Sequence, residues 1–356
     1  MSATELADCL QLPCAHGGPA GRGRIRVAPE DFIVREWLGF EPDGAGDHWL
    51  LTVRKRGANT HWVAKQLGRL AQIHPRDIGF AGLKDRNAVT EQAFTLPVRS
   101  AMTSEWIGVV GDGFEVIKAV RHRRKLKRGA LRANDFEIVV RDFSGDAEAL
   151  AQRLAAIAEQ GVPNYFGPQR FGINGGNLER AQQWFSGQIE IHDRIERSFA
   201  LSAARSAIFN AVLAQRVQQG SWNHLRSGDI ASLDGSNSIF AVDVLDEVLA
   251  GRCDRLDIHP SGPLWGKNLP ASLGETATLE QQAGAKYEVL SAGLVRAGLD
   301  QERRALRMRV NQLSWTLEGT DLRLNFRLPR GTYATAVLHE LLEDAFVQAN
   351  PEAEDD

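Results

Sequence analysis

One carboxylate in this sequence, Asp85, stands in a setting that suits a reactive acid. An apolar run leads into it, and Gly79 and Gly82 allow positive φ or the close approach of another segment. Lys84 and Arg86 flank the acid and favour its ionised form, which could act as a nucleophile or as a general base. The same residues also suit a surface turn with a solvated Lys-Asp-Arg triplet. Spacing alone leaves both interpretations open.

A second segment carries a dense cluster of positive charge, although the whole chain has a formal net charge of −3. No acid lies between Glu115 and Asp135, and the cations there are Lys118, Arg121, Arg123, Arg124, Lys125, Lys127, Arg128 and Arg132. Apolar alternation from Phe136 to Val140 predicts a half-buried strand, and this strand would fix where the cationic side chains before it point. A local basic face suits a polyanion such as RNA, and a solubilising surface loop is the alternative.

Composition indicates an ordinary globular protein. The 356 residues are 43% hydrophobic and 24% charged, which leaves room for two domains with separate cores. No apolar run approaches the roughly 20 residues that span a bilayer, so we expect no membrane association. The three cysteines, Cys9, Cys14 and Cys253, have no Cys-x-x-Cys spacing, and no His-Glu-x-x-His run occurs. We therefore expect neither a disulfide framework nor a metal, and a cytoplasmic location.

Hydrophobic periodicity predicts strands in the first half, helices in the middle and strands again near the end. The predicted strands are 32–36, 48–54, 90–98 and 321–328. The predicted helices are 62–73, 147–159, 203–218 and 335–347. Asn59 and Ser202 are the expected N-caps of two of these helices, and Pro75 is the expected stop of the first. Gly-Pro punctuation at 261–263 predicts a loop.

The final strand and helix cannot form a domain of their own in about fifty residues. We therefore expect them to complete the first domain. This predicts a discontinuous catalytic core of residues 1–159 and 309–356, with residues 160–308 inserted as a second domain.

Three ordered motifs resemble a known family. Residues 82–92, Gly-Leu-Lys-Asp-Arg-Asn-Ala-Val-Thr-Glu-Gln, look like the central motif of the TruD family of tRNA pseudouridine synthases. Residues 29–34 and 164–172 resemble its first and third motifs, and the similarity extends from about residue 21 to about residue 342. Arg26 stands where typical bacterial members carry lysine, so the charge is kept but the ability to lose a proton is not.

The resemblance implies an α+β fold, in which a pseudouridine-synthase core with a mixed, mainly antiparallel sheet is interrupted by an inserted helix-rich α/β TRUD domain. It implies an isomerase that converts uridine 13 in the D arm of tRNA to pseudouridine without a cofactor. The implied site residues are Asp85 as the catalytic residue, Glu30, Arg26 and Lys84 in support, and Asn134 and Phe136 in the uracil pocket.

Alternation along an extended segment refines the expected site. Lys84 would face away from Asp85, so the more distant Arg26 is the better cation partner. The Phe136 ring could stack on the uracil while the Asn134 amide pairs with its edge. Phe136 as an ordinary core residue is the alternative.

The expected partner is tRNA, bound by a monomer. The candidate RNA contacts are Arg123, Arg124, Lys125, Lys127, Arg128, Arg132, Gln169 and Arg170. The last two lie in the aromatic segment 164–172, which we assign to packing first. Two other functions stay open: a glycosidic-bond hydrolase that uses Asp85 and Glu30, and a non-catalytic RNA-binding module.

Overall fold

The computed structural model describes residues 12–98, 105–268 and 272–345. These residues pack as two compact units. The sheet unit comprises Gly23–Ser144 and Asn311–Gly331. The helical unit comprises, within the described residues, 12–22, 145–310 and 332–345, so the C-terminal helix packs in it. The division into a core of 1–159 and 309–356 with an insertion of 160–308 stays a prediction.

The described residues form sixteen strands and eight α-helices. The strands are β1 Gly21–Arg24, β2 Phe32–Trp37, β3 His48–Arg56, β4 Gly79–Phe80, β5 Val89–Pro97, β6 Val110–Gly111, β7 Phe114–His122, β8 Ala133–Gly145, β9 Val162–Pro163, β10 Asp229–Leu233, β11 Ile239–Val242, β12 Ile258–Leu264, β13 Glu302–Ala305, β14 Arg307–Met308, β15 Asn311–Glu318 and β16 Asp321–Pro329. The helices are Thr60–Ala71, Ala147–Gln160, Gly176–Phe185, Arg194–Gln218, Glu247–Asp254, Gly274–Lys286, Glu288–Arg296 and Ala334–Leu341.

The sheet unit is built on one large mixed sheet. Its strand order is β15-β16-β8-β2-β5-β3-β7-β6, and β4 pairs with β5. β2 and β5 run parallel, whereas the other neighbours in this order are antiparallel. Together with the helices, this mainly antiparallel sheet confirms the expected α+β fold.

The helix Thr60–Ala71 covers part of one face of this sheet. It begins as expected, because the Asn59 side chain accepts a hydrogen bond from the Trp62 N–H at 2.7 Å. Val63 and Leu67 lie one turn apart and pack into a core shared with β3, β5 and β7. The helix ends where Gln72 adopts a left-handed conformation, shortly before Pro75. The loop that carries Asp85 lies beside the start of this helix, where the Lys84 N–H donates to Thr60 Oγ1.

Three local predictions in the helical unit are wrong. The helix predicted over 335–347 spans Ala334–Leu341, because Leu342 adopts an extended conformation. The helix expected to start behind Ser202 begins at Arg194, because Asp193 caps it by accepting from the N–H groups of Ile195 and Glu196. Residues 261–263, expected as a loop, lie within β12, which pairs with β10 and β13. A Cβ at Gly262 would lie 2.8 Å from the Leu306 side chain, so glycine serves close packing there.

No helix among the described residues is long and apolar enough to cross a membrane. Within the same residues, no group of three or more histidine, cysteine or acidic side chains could hold a metal ion.

Candidate active site

Asp85 lies in the loop that joins β4 to β5, and its carboxylate is paired with Arg26. The distance from Arg26 Nη2 to Asp85 Oδ2 is 2.7 Å. The Asp85 side chain is 44% exposed, whereas that of Arg26 is 10% exposed. The structure thus brings the expected acid and cation together.

Arg26 is held in an uncommon conformation. Its φ of 57° lies in the left-handed region, which typically costs about 1–3 kcal/mol for a residue other than glycine. Its guanidinium carbon lies 4.3 Å from the centroid of the Phe32 ring, and its buried Nε has no hydrogen-bond partner among the described residues. The aromatic contact and the ion pair together stabilise the backbone that presents this cation to Asp85.

Lys84 faces away from Asp85, as alternation predicts. Its Nζ lies 2.6 Å from Oε1 of Glu36, and both side chains are almost fully buried. The second oxygen of Glu36 accepts from the Ala93 N–H at 2.9 Å. A buried ion pair of this kind fixes local geometry more than it stabilises the fold. Lys84 therefore anchors the loop that carries Asp85 to β2 and β5.

Lys55 is a functional candidate that the sequence analysis missed. It is 1% exposed, and its Nζ donates to the carbonyl oxygens of Ala58 at 2.7 Å, Lys84 at 3.3 Å and Asp85 at 2.7 Å. A signal was present, because Leu51, Val53 and Lys55 occupy alternate positions of β3 and must share one face. The buried ammonium group holds the backbone of Asp85 in place.

The start of the same loop is held by a chain of side chains. The Thr60 hydroxyl accepts from the Lys84 N–H at 3.0 Å and donates to Gln92 Oε1 at 2.9 Å. Gln92 Nε2 donates to the carbonyl oxygen of Gly82 at 2.5 Å. These bonds satisfy buried polar groups and connect the loop to the helix and to β5.

The two glycines expected to frame the loop, Gly79 and Gly82, differ in how closely other atoms approach them. Neither has a positive φ. A Cβ at Gly79 would lie 2.5 Å from the carbonyl oxygen of Leu126, so this position requires glycine for close approach of the basic segment. At Gly82 a Cβ would meet nothing within 4 Å.

Phe136 and Asn134 lie on the sheet face that carries Glu36. Phe136 is opposite Val34 and Phe326, and Asn134 is opposite Glu36 and Leu328. The Phe136 ring stacks on Phe326 with centroids 5.4 Å apart, and it is nearly buried. Phe136 is therefore a packing residue as well as a candidate stacking surface.

Asn134 adds an unusual polar group to this face. Its Oδ1 is buried and has no hydrogen-bond partner among the described residues. Leaving such an oxygen unpaired typically costs about 1–3 kcal/mol. A ligand that donates a hydrogen bond at this position would recover that free energy.

The acids of the first motif have separate roles. Glu30 is exposed and pairs with Arg56, whose Nε lies 2.5 Å from Oε1, and this hydrogen bond lowers the pKa of Glu30. Asp31, which the sequence analysis did not single out, is buried and accepts from Arg141 at 2.6 and 2.9 Å. Arg56 also lines an open concavity of about 340 Å³ beside the loop that carries Asp85, together with Arg86 and Trp62.

The basic segment packs against the segment that leads to Asp85. The Gly129 N–H donates to the carbonyl oxygen of Ala81 at 2.8 Å, and the Leu126 N–H donates to Thr95 Oγ1 at 2.9 Å. The six cations expected to contact RNA, Arg123, Arg124, Lys125, Lys127, Arg128 and Arg132, are all exposed. None of them makes an ion pair with a carboxylate in the part of the chain that the structure describes. The charge is thus held in place and open to an external anion.

Gln169 and Arg170 belong to the helical unit. They lie in the short turn Pro168–Phe171. Arg170 donates to Ser202 Oγ at 2.6 Å and to the Tyr333 hydroxyl, and its guanidinium lies over the Phe166 ring. These contacts agree with the assignment of this segment to packing.

Comparisons with known proteins identify the family. The sequence model described as tRNA pseudouridine synthase D (TruD) matches residues 15–179 and 177–341. The tRNA pseudouridine synthase D of Methylococcus capsulatus is 49% identical over 344 residues, which cover 96% of this chain and 97% of that protein. That of Nitrosococcus oceani is 43% identical over 343 residues, which cover 95% and 96%. This chain belongs to the TruD family.

A solved structure agrees with the TruD fold. The crystal structure of a Methanosarcina mazei protein provisionally assigned as tRNA pseudouridine synthase D (TruD) superposes with a TM-score of 0.72 and 21% identity. The match covers 98% of this chain and 100% of that one. The resemblance that rested on three motifs is therefore confirmed over nearly the whole chain. TruD membership supports an isomerase that acts on tRNA.

Proposed function

We propose that this chain isomerises uridine 13 in the D arm of tRNA to pseudouridine, with Asp85 as the reacting carboxylate. The observation that carries the proposal is the Asp85 carboxylate itself. It is partly exposed, paired with Arg26 at 2.7 Å, and mounted on a loop whose backbone is held by Lys55. Preorganised charge beside a reacting group is a general source of catalysis.

The reaction is a redox-neutral rearrangement. The N1–C1′ bond of uridine breaks, the uracil turns, a C5–C1′ bond forms, and the C5 proton is lost while N1 gains one. No atom is gained or lost overall, so the proposal needs no cofactor. Asp85 acts either as a nucleophile towards the sugar or as the base that removes a ribose proton. Arg26 stabilises the carboxylate in both cases.

The uracil pocket is proposed at Phe136 and Asn134. Uracil must leave its stack to react, at a cost of a few kcal/mol, and stacking on an aromatic ring recovers about 1–3 kcal/mol. The unpartnered Oδ1 of Asn134 supports this placement, because it could accept a hydrogen bond from the uracil N3–H. Glu30 and Lys84 support the site indirectly, through Arg56 and Glu36.

The basic segment is proposed as the main contact with the tRNA backbone. Its cations are exposed. The hydrogen bond from the Gly129 N–H to the carbonyl oxygen of Ala81 joins the segment to the residues that lead to Asp85. Phosphate contacts of this kind position a nucleic acid without reading its sequence. Gln169 and Arg170 remain proposed further contacts, and we propose a monomer in the cytoplasm.

The position of the product tests the proposal. Unmodified tRNA is incubated with the protein, and pseudouridine is mapped by carbodiimide labelling and primer extension. We expect one stop that corresponds to position 13. A stop elsewhere would contradict the assignment of uridine 13, free uracil among the products would indicate a hydrolase, and unmodified tRNA despite binding would indicate a binding module.

A further inference from the structure

Leu83 is an exposed apolar side chain beside the reacting carboxylate. It is 62% exposed and lies two residues before Asp85. Single exposed leucines are common on protein surfaces, so exposure alone indicates little. The backbone around Leu83 makes this one unusual.

The residues on both sides of Leu83 are locked. The Gly82 carbonyl accepts from Gln92, the Lys84 N–H donates to Thr60, and the Lys84 ammonium pairs with buried Glu36. Leu83 cannot move towards the core without breaking this network. The loop therefore presents an apolar side chain to solvent on a rigid support.

Leu83 lies close to Asp85 on the scale of base stacking. Two residues span at most about 7 Å, so the two residues are no further apart than about two base steps of 3.4 Å. A side chain within this distance of the reacting carboxylate can reach the bases next to the target uridine. Val27, which directly follows Arg26, is also exposed and adds a second apolar contact beside the ion pair.

Extrusion of a base leaves a gap that is costly to keep open. Nucleic-acid-binding proteins insert leucine, isoleucine, methionine or phenylalanine between bases for this purpose. We propose that Leu83 is such a wedge and fills the stack that the target uridine vacates. The proposal rests on the proposed pseudouridine synthesis at Asp85 and adds a residue that holds the flipped state.

The test compares two substrates and three variants. Rates are measured with unmodified tRNA and with a short single-stranded RNA in which abasic sites flank the target uridine. Leu83→Ala should lower kcat/KM on tRNA by about 10- to 50-fold, because the variant lacks three carbons that the wedge would bury. The rate of the same variant on the short RNA should stay within about twofold of the wild-type rate. Leu83→Met should restore most of the activity on tRNA. Leu70→Ala is the control: Leu70 is also an exposed leucine, but it lies on the helix Thr60–Ala71, and its replacement should change neither rate.

The outcomes separate this proposal from the function itself. Wild-type protein that forms no pseudouridine in either RNA would overturn both. With an active wild type, Leu83→Ala at the wild-type rate on tRNA, or with equal losses on both substrates, would overturn the wedge alone. Equal thermal unfolding temperatures of Leu83→Ala and Leu70→Ala exclude misfolding as the cause of a loss.

Discussion

Replacing Lys55 by methionine tests whether the buried ammonium group positions the loop that carries Asp85. Methionine keeps most of the side-chain length and removes the three hydrogen bonds to the carbonyl oxygens of Ala58, Lys84 and Asp85. A hydrogen bond from a charged donor contributes about 1.5–3 kcal/mol, and part of the loss is offset because a buried charge is no longer desolvated. We expect the free energy of unfolding to fall by about 2–4 kcal/mol.

The catalytic effect of Lys55→Met should exceed the effect on RNA binding. The exposed cations of the basic segment are unchanged, so KM should stay within about threefold. The Asp85 backbone loses a direct partner, and a displacement of about 1 Å at a reacting group can lower the rate 100-fold. We therefore expect kcat to fall about 100-fold.

Single-turnover rates, KM values and urea unfolding curves measure these changes. Lys65→Met is the matched control, because Lys65 is exposed on the neighbouring helix and its replacement should leave all three quantities nearly unchanged. A Lys55→Met protein that unfolds more easily but keeps the wild-type kcat would refute the positioning role. It would show that the ammonium group serves only stability.

Two further outcomes follow from charges elsewhere in the chain. Changing Lys127 and Arg128 to glutamine should make tRNA binding less sensitive to salt. In filter-binding measurements, the slope of log K against log salt concentration should fall by about 1 for each phosphate that is no longer neutralised. An unchanged slope would show that the RNA binds elsewhere. Burial lowers the pKa of His259 and the charge of Arg307 lowers it further, against the raising effect of Asp234, so the folded protein favours the neutral ring. Because the unfolded chain then binds the proton more readily, thermal stability should fall as pH drops below about 6.5, and His259→Gln should weaken this dependence in melting curves taken from about pH 7.5 to about pH 5.

Regular periodicity and capping residues made part of the fold predictable. The alternation of apolar residues in β16 and the Asn59 cap of the helix Thr60–Ala71 are local signals, and the structure has both. The pairing of Arg26 with Asp85 followed from the opposite orientation of Lys84. The first two inferences needed only neighbouring residues, whereas the choice of Arg26 also depended on the family resemblance, which placed this residue near the site.

The features that were missed depend on tertiary contacts. A lysine is almost never fully buried unless it has partners, and the carbonyl groups of Lys84 and Asp85 that accept from Lys55 come from a loop about 30 residues away. Gly262 and Pro263 usually mark a loop, but close packing against Leu306 and pairing with β13 place them in a strand. The N-cap of the helix Arg194–Gln218 is Asp193, whereas the sequence analysis considered only Ser202, which lies inside the helix.

Release of tritium from tRNA labelled at C5 of uridine tests the central role of Asp85 most directly, because the C5 proton leaves only when pseudouridine forms. The wild type, Asp85→Asn and the exposed control Asp77→Asn are compared under single-turnover conditions, with tRNA binding measured in parallel. We expect Asp85→Asn to bind tRNA within about threefold of the wild type and to release tritium at least about 10⁴-fold more slowly, with Asp77→Asn unchanged. Release by Asp85→Asn at a rate close to that of the wild type would contradict the account.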